Sequence, residues 1–205
     1  MEMHECAMLT MFLLPAKLHI CLTTMALVFC KYRTRRTVPL MGTGSGAGMI
    51  FGNTGGVMEA ALRTTYRILN NRNPPPGFFN LTPIRGMSNV RRASVDLGRR
   101  TLNVAVVHGT GGARPFLDSV RDRTSNYDFV EFMACAGGCI GGGGQPISSM
   151  SAARLKQLRM NTLFQRDVDK EIRLSYDNPQ IKEIYREFLG APLSATAKAL
   201  LHTTR

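Results

Sequence analysis

Two cysteines four residues apart, Cys135 and Cys139, stand in the stretch EFMACAGGCIGGGGQP (Glu131–Pro146), with six glycines among the eight residues from Gly137 to Gly144. Thiolates ligate metal–sulfide groups and act as nucleophiles in redox exchange. Glycine inside regular structure costs about 0.5–1 kcal/mol relative to alanine, so this density has to serve something. A nest for an anion, close approach of bare backbone to a cofactor, and a loop without fixed form are the alternatives. Two thiolates do not complete a tetrahedral zinc site or a cubane cluster, each of which takes four ligands. A Cys-x3-Cys-x2-Cys pattern fails because position 142 is Gly. The bland alternative is a pair of buried, inert thiols. Against it, glycines around the sulfurs leave N–H groups free for a cluster's sulfides and keep out bulky side chains.

A second glycine-rich stretch, MGTGSGAGMIFGNTGGVMEAALRTTYRIL, begins at Met41. Gly42-x-Gly44-x-x-Ala47 fits a dinucleotide fingerprint formally, yet no apolar strand precedes it and no acid follows about 20 residues on. A Gly-Lys-Ser/Thr is also missing, which excludes a Walker loop. The stretch does show a helix after Gly55–Gly56. Val57, Ala60, Ala61, Thr64, Thr65, Ile68 and Leu69 recur with the 3.6-residue period, Glu59 sits in the first turn and Arg63 follows at i+4. Glycines before a helix N-terminus either present free N–H groups to a ligand or only permit close packing.

The elements that must deliver the cysteines are legible too. TLNVAVVH (Thr101–His108) is a continuous apolar run, as in a strand covered on both faces. GTGG reads as a turn, ARPFLDSVRDR as a helix with Phe116, Leu117 and Val120 on one face, and YDFVEFM (Tyr127–Met133) as the next strand. Strand, helix and strand make a right-handed parallel crossover. Ligands of open α/β sheets lie beyond the carboxyl ends of strands, where CAGGCIGGGGQP begins. The fold class is therefore α/β: a partial parallel sheet with a βαβ crossover and glycine-rich loops at strand ends, then a C-terminal helical segment. In that segment DNPQIKEIYREFLGAP carries an Asn or Asp cap, Pro179 at the first position, Gly190 past the end and Pro192 beyond. Its apolar face is Ile181, Ile184, Tyr185, Phe188 and Leu189.

At 205 residues, 44% hydrophobic and 20% charged, the chain has the composition of a folded domain. A net charge of +12 invites a nucleic-acid reading, but the basic residues are scattered and no aromatic-interleaved stripe or zinc-finger spacing accompanies them. No nucleic-acid partner is expected; an acidic protein partner explains the charge equally well. Five cysteines at irregular spacing argue against a disulfide framework. Residues 1–36 differ from the rest: rich in Met, Cys and Leu, broken by Pro15, Lys17 and His19, and short of the roughly 18–20 apolar residues a membrane span needs. The charge follows the apolar part, opposite to a signal peptide. No membrane partner is expected.

FMACAGGCIGGGGQP resembles the third cysteine signature of the [FeFe] hydrogenase catalytic domain. GSGAGMIFGNTGGVMEAALRT is similar to the glycine-rich stretch preceding it in that family, and EIRLSYDNPQIKEIYREFLGAPLSATAKALLHT to the family's small-subunit segment. The matches come in the family's order. The division expected from them is an atypical N-terminal segment at 1–40, the C-terminal part of the large-subunit domain at 41–150 and the small-subunit-like segment at 151–205. The resemblance implies an iron–sulfur oxidoreductase that interconverts H2 with protons and electrons, with ferredoxin or a similar acidic carrier as partner. Its cofactor is the H-cluster, a [4Fe–4S] cubane joined to a diiron unit.

Carried over by position, Cys135 ligates the cubane, and Cys139 ligates it and bridges to the diiron unit. Met133, Phe51 and Val57 wall the diiron pocket, and Gly52, Gly55 and Gly56 let backbone approach it; Cys139 and Met133 are the residues nearest the chemistry. The family's first two cysteine signatures are absent, with the other two cubane ligands, the proton-relay cysteine and a cyanide-holding lysine. Cys6, Cys21 and Cys30 stand in none of the required contexts, Ala136 replaces a proline, and Tyr176 stands where His is usual. The expectation is a chain with an incomplete ligand set, inactive alone, whose missing half another polypeptide would carry. The compartment implied by the family is cytoplasmic or organellar, hydrogenosome- or plastid-like. The alternative resemblance is to non-catalytic Narf-like iron–sulfur assembly proteins.

Overall fold

The computed structural model describes residues 43–202; the atypical segment 1–40 lies outside them. The elements are α1 (Gly46–Met49), α2 (Gly56–Asn70), β1 (Val90–Asp96), β2 (Thr101–His108), α3 (Thr110–Arg121), β3 (Phe129–Met133), α4 (Ala152–Val168), α5 (Pro179–Ile184) and α6 (Ala195–Leu201). Short 3-10 turns lie between several of them.

The apolar run expected as a doubly covered strand is the centre of a three-stranded sheet in the order β1-β2-β3. β2 pairs parallel with β3, in the register Val104 to Phe129 through His108 to Met133, and α3 supplies the crossover. β1 runs antiparallel to β2, so the sheet is mixed rather than wholly parallel. Alternation along β2 sorts its side chains into two layers. Val104 and Val106 pack with Met58, Leu62 and Tyr66 of α2 on one face. On the other, Ala105 and Val107 pack with Phe116 of α3. Each large side chain fully buried in these layers contributes about 1.5–3 kcal/mol. The GTGG expected as a turn is mostly helix: Gly109, at φ 80°, turns the chain and α3 starts at Thr110.

α2 buries a different stripe from the one periodicity indicates. Met58, Leu62 and Tyr66 face the sheet, whereas Ile68 is 74% exposed. The expected stripe consists mostly of alanine and threonine, which score as apolar but bury little area, so the larger side chains take the core. Glu59 and Arg63 are buried too, and they form the seam with the C-terminal segment. Arg63 meets Glu59 at 2.7 Å and Asp167 of α4 through both nitrogens, at 3.0 and 2.8 Å. Arg85 closes on Glu59 with two 2.7 Å bonds, and Arg173 on Asp167 at 2.6 Å. The rings of Phe79 and Phe164 lie under these guanidiniums. Burial alone would raise the Asp167 carboxyl, but hydrogen bonds from Arg63 and Arg173 outweigh it and hold its pKa below the usual range. A Cβ at Gly46 would lie on the Asp167 carboxylate, so only glycine admits this approach. Gly46 and Ala47 also donate backbone bonds to Ile172 and Arg173.

α5 forms as its caps predict: the Asn178 side chain accepts from the Gln180 N–H at 2.9 Å, Pro179 takes the first position, and a π turn over Tyr185–Leu189 ends at Gly190, φ 74°. Its expected apolar face is largely uncovered. Leu189 is buried and Phe188 is 68% exposed. Ile181 and Tyr185 join Ile68, Tyr176 and Pro192 along an open groove of about 470 Å³. No helix of the described residues is long and apolar enough to cross a membrane.

Candidate functional site

β3 ends at Met133, and the chain turns at once into the cysteine loop. Gly137 and Gly138 have φ 92° and 85°, a conformation that side chains resist. Gly138 pairs with Asn53 in an isolated bridge, and the Thr54 N–H donates to the Gly137 carbonyl at 3.1 Å. A Cβ at Gly138 would lie 2.7 Å from the Thr54 nitrogen, 2.8 Å from the Gly52 oxygen and 2.8 Å from Met133 Sδ. The two glycine-rich stretches therefore meet backbone to backbone. Cys139 opens a single 3-10 turn (Cys139–Gly141), and both thiols are free and exposed. The alternative of sealed, inert sulfurs does not hold.

α4 braces the loop from outside. Arg159 donates to the Ile140 and Pro146 carbonyls at 3.0 and 2.6 Å, and Gln145 donates to the Cys139 carbonyl at 3.1 Å. The Lys156 stem runs past Gly137 and Gly141. Asn53, fully buried, donates to the Met160 carbonyl at 3.2 Å, while its own Oδ1 has no partner. Against the inner side lies an anion that sequence reasoning passed over. Glu131 of β3 accepts from the Gly55 and Met58 N–H groups, both at 2.6 Å. Of the two alternatives for the glycines before α2, a ligand outside or close packing, the second describes Gly55: its N–H and that of Met58 are spent on an internal carboxylate, which fits the helix dipole. Burial raises the Glu131 pKa; the two backbone bonds and Arg91 oppose it without cancelling it. A lone acid in an otherwise apolar strand was the available signal.

The other expected residues divide. Met133 lies against Gly138 beside the thiols. Phe51, 46% exposed, and Val57 line an open groove of about 350 Å³ with Ala60, Ala61 and Thr64. Gly52 faces Leu163 of α4. Gly55 and Gly56 are pressed on backbone: an added Cβ would meet the Ile84 oxygen at 2.5 Å and the Ile50 oxygen at 1.7 Å. His108, Thr54 and Arg91 also stand beneath the loop and carry no sequence motif.

An iron–sulfur cubane needs four ligands. Bare main chain and two accessible thiols suit one side of such a group, but the described residues contain no cluster of three or more His, Cys, Asp or Glu side chains. They do not complete its ligand set.

Residues 16–143 match the family described as iron only hydrogenase large subunit, C-terminal domain, and residues 153–204 match iron hydrogenase small subunit. The chain is 43% identical over 163 residues to the NADP-reducing hydrogenase subunit HndD of Solidesulfovibrio fructosivorans, covering 80% of this chain and 27% of that protein. It is 34% identical to iron hydrogenase 1 of Clostridium pasteurianum, covering 85% and 30%. Protein NAR1 of Arabidopsis thaliana is 29% identical, covering 75% and 32%. Among solved structures, [FeFe]-hydrogenase HydA1 from Chlamydomonas reinhardtii superposes with a TM-score of 0.65 at 33% identity, covering 91% of this chain and 53% of that one. The chain thus spans about a third or less of these curated relatives and about half of the solved chain.

Proposed function

The chain belongs to the iron-only hydrogenase family, a family of iron–sulfur oxidoreductases, and from that premise we propose that Cys135 and Cys139 contribute two ligands to an iron–sulfur cluster at the end of β3. The observation that carries the reading is the pair of exposed thiols at the lip of the sheet, held by backbone that tolerates no Cβ at Gly138 or Gly141. In this reading Cys139 would also help hold the diiron unit of an H-cluster, for which Met133, Phe51 and Val57 would serve as apolar walls and Gly52, Gly55 and Gly56 as close backbone. The remaining ligands come from outside residues 43–202, either from the rest of this chain or from a second polypeptide. Interconversion of H2 with protons and electrons, with a ferredoxin-like acidic carrier drawn to a +12 chain, is the reaction of the completed assembly and not of this chain alone. What residues 43–202 do themselves is position two thiols and shape the space beside Met133.

The division into a large-subunit part ending near residue 150 and a small-subunit-like segment after it belongs to the same proposal. A second reading, non-catalytic iron–sulfur assembly, draws on the likeness to NAR1 and to the probable cytosolic Fe-S cluster assembly factor narfl of Dictyostelium discoideum, 32% identical over 113 residues. Anaerobic reconstitution of the full chain separates them. Iron and sulfide bound in wild type and lost in Cys135→Ser/Cys139→Ser supports the cluster. Infrared bands of CO and cyanide after maturation support the hydrogenase site, and iron without those bands favours the assembly reading. No iron at all overturns both.

A further inference from the structure

Beneath the cysteine loop lies a buried imidazole that the proposed chemistry does not use. His108 ends β2, is 1% exposed, and places Nδ1 3.1 Å from the Thr54 hydroxyl. Thr54, itself fully buried, holds three things at once. Its N–H donates to the Gly137 carbonyl in the middle of the Cys-x3-Cys loop, its hydroxyl oxygen accepts from Arg91 Nη2 at 2.7 Å, and the same hydroxyl faces His108. With Arg91 donating to one lone pair of the oxygen, the hydroxyl's own proton is free for Nδ1, and in that arrangement the neutral ring accepts there. The Met87 backbone favours the charged His108 ring, and the terminal methyl of Met87 packs against Gly137. Just after His108, the Gly109 N–H donates to the Met133 carbonyl at 2.9 Å. His108 therefore touches Thr54, the residue whose backbone supports Gly137.

We propose that His108 is a positioning residue for the two thiols: its neutral ring fixes the Thr54 hydroxyl, and through the Thr54 backbone it fixes the Gly137 turn that sets Cys135 relative to Cys139. The proposal does not depend on iron and stands or falls apart from the reading above.

The charged surroundings make the arrangement sensitive to acid. Burial, then the Arg91 guanidinium from β1 and the Lys156 ammonium from α4, depress the His108 pKa from its usual 6.5; only the Met87 contact works the other way. The Glu131 carboxylate of β3 acts on Arg91. A ring that is neutral when folded binds fewer protons than when unfolded, so its contribution is present above pH 6.5 and is lost as pH falls below it.

The test uses the full-length, metal-free, reduced chain. Hydrogen exchange is followed in peptides spanning Thr54 and residues 134–142, with α2 as internal reference, and alkylation by iodoacetamide gives the rate ratio of Cys135 to Cys139. His108→Ala is expected to speed exchange at Thr54 and in the loop by about tenfold while α2 keeps its protection, and to change the alkylation ratio. His108→Asn, which keeps a polar group at the Nδ1 position, is expected to restore protection at neutral pH. It should also abolish the loss of protection that wild type shows in acid, after correction for intrinsic exchange. Unchanged exchange and alkylation ratio in His108→Ala overturn the proposal, as does acceleration equal in the loop and α2. If the alanine variant fails to fold, the pH profile of His108→Asn decides: an acid step like that of wild type refutes the role.

Discussion

The seam between α2 and α4 and the loop carrying Cys135 and Cys139 are held by opposite means. At the seam, five charged side chains in alternation, Arg85, Glu59, Arg63, Asp167 and Arg173, pair with one another; the central three are buried, and Arg63 Nε alone is left without an acceptor. At the loop no side chain pairs with either sulfur among the described residues; shape comes from backbone bonds, from glycines that leave no room for a Cβ, and from neutral or cationic side chains that donate only to loop carbonyls. A buried ion chain fixes register because any slip strands a charge. A bare-backbone loop leaves its functional atoms open to whatever arrives. The molecule is closed by buried ion pairs where two of its segments join and open where it has thiols to offer.

Removing the central cation should break this comparison most severely. Arg63→Ala takes the shared cation from Glu59 and Asp167, leaving each buried carboxylate with one arginine, Arg85 or Arg173, and a loss of about 3–5 kcal/mol is expected, read by urea denaturation. An unchanged midpoint would mean that the seam does not hold the fold. At the loop the damaging change is an added methyl. Gly138→Ala forces a side chain into φ 85° against the Thr54 nitrogen and the Gly52 oxygen, costing about 1–3 kcal/mol. Hydrogen exchange should localise the effect to residues 52–55 and 135–141.

A smaller effect distinguishes the two regions by pH. The Glu131 pKa is raised, so the folded chain holds that proton more tightly and stability falls as pH rises from about 4.5 through the folded value. Asp167 acts in the other direction: its pKa is lowered, and its contribution, present above 3.8, is lost as pH falls through the folded value. Denaturation midpoints of Glu131→Gln between pH 4.5 and 7 should lose the Glu131 slope and leave the acid limb. Least of all, Cys135→Ser/Cys139→Ser should change stability by no more than about 0.5 kcal/mol, since both side chains are exposed. A large loss would show that the sulfurs are structural.

What could be read from residues alone follows from how local each signal is. β2 was legible residue by residue because a strand covered on both faces has no polar interruption from Val104 to Val107. The caps of α5 were legible because Asn178, Pro179 and Gly190 each act within a turn of their own position. β1 passed unnoticed: VRRASVD alternates, but two of its seven residues are arginines, and Arg91 is buried only because four acceptors, three of them carbonyls, surround it in the fold. The buried stripe of α2 was misjudged since Glu59 and Arg63 count as surface residues until Asp167, 104 positions from Arg63, is known to face them. At the site, the sulfurs and their glycines were visible as a motif, whereas Glu131, Thr54 and His108 act through partners distant in sequence.

The sheet order has a further consequence. β3 has β2 on one side and, among the described residues, no strand on the other, so its outer main-chain donors and acceptors form an unoccupied template next to exposed Phe129 and Phe132. Concentrated or heated samples are expected to self-associate through this border first. An extended peptide that zips onto it would press on the same five residues that lead into Cys135, so thiol reactivity is the readout in which such assembly is expected to register.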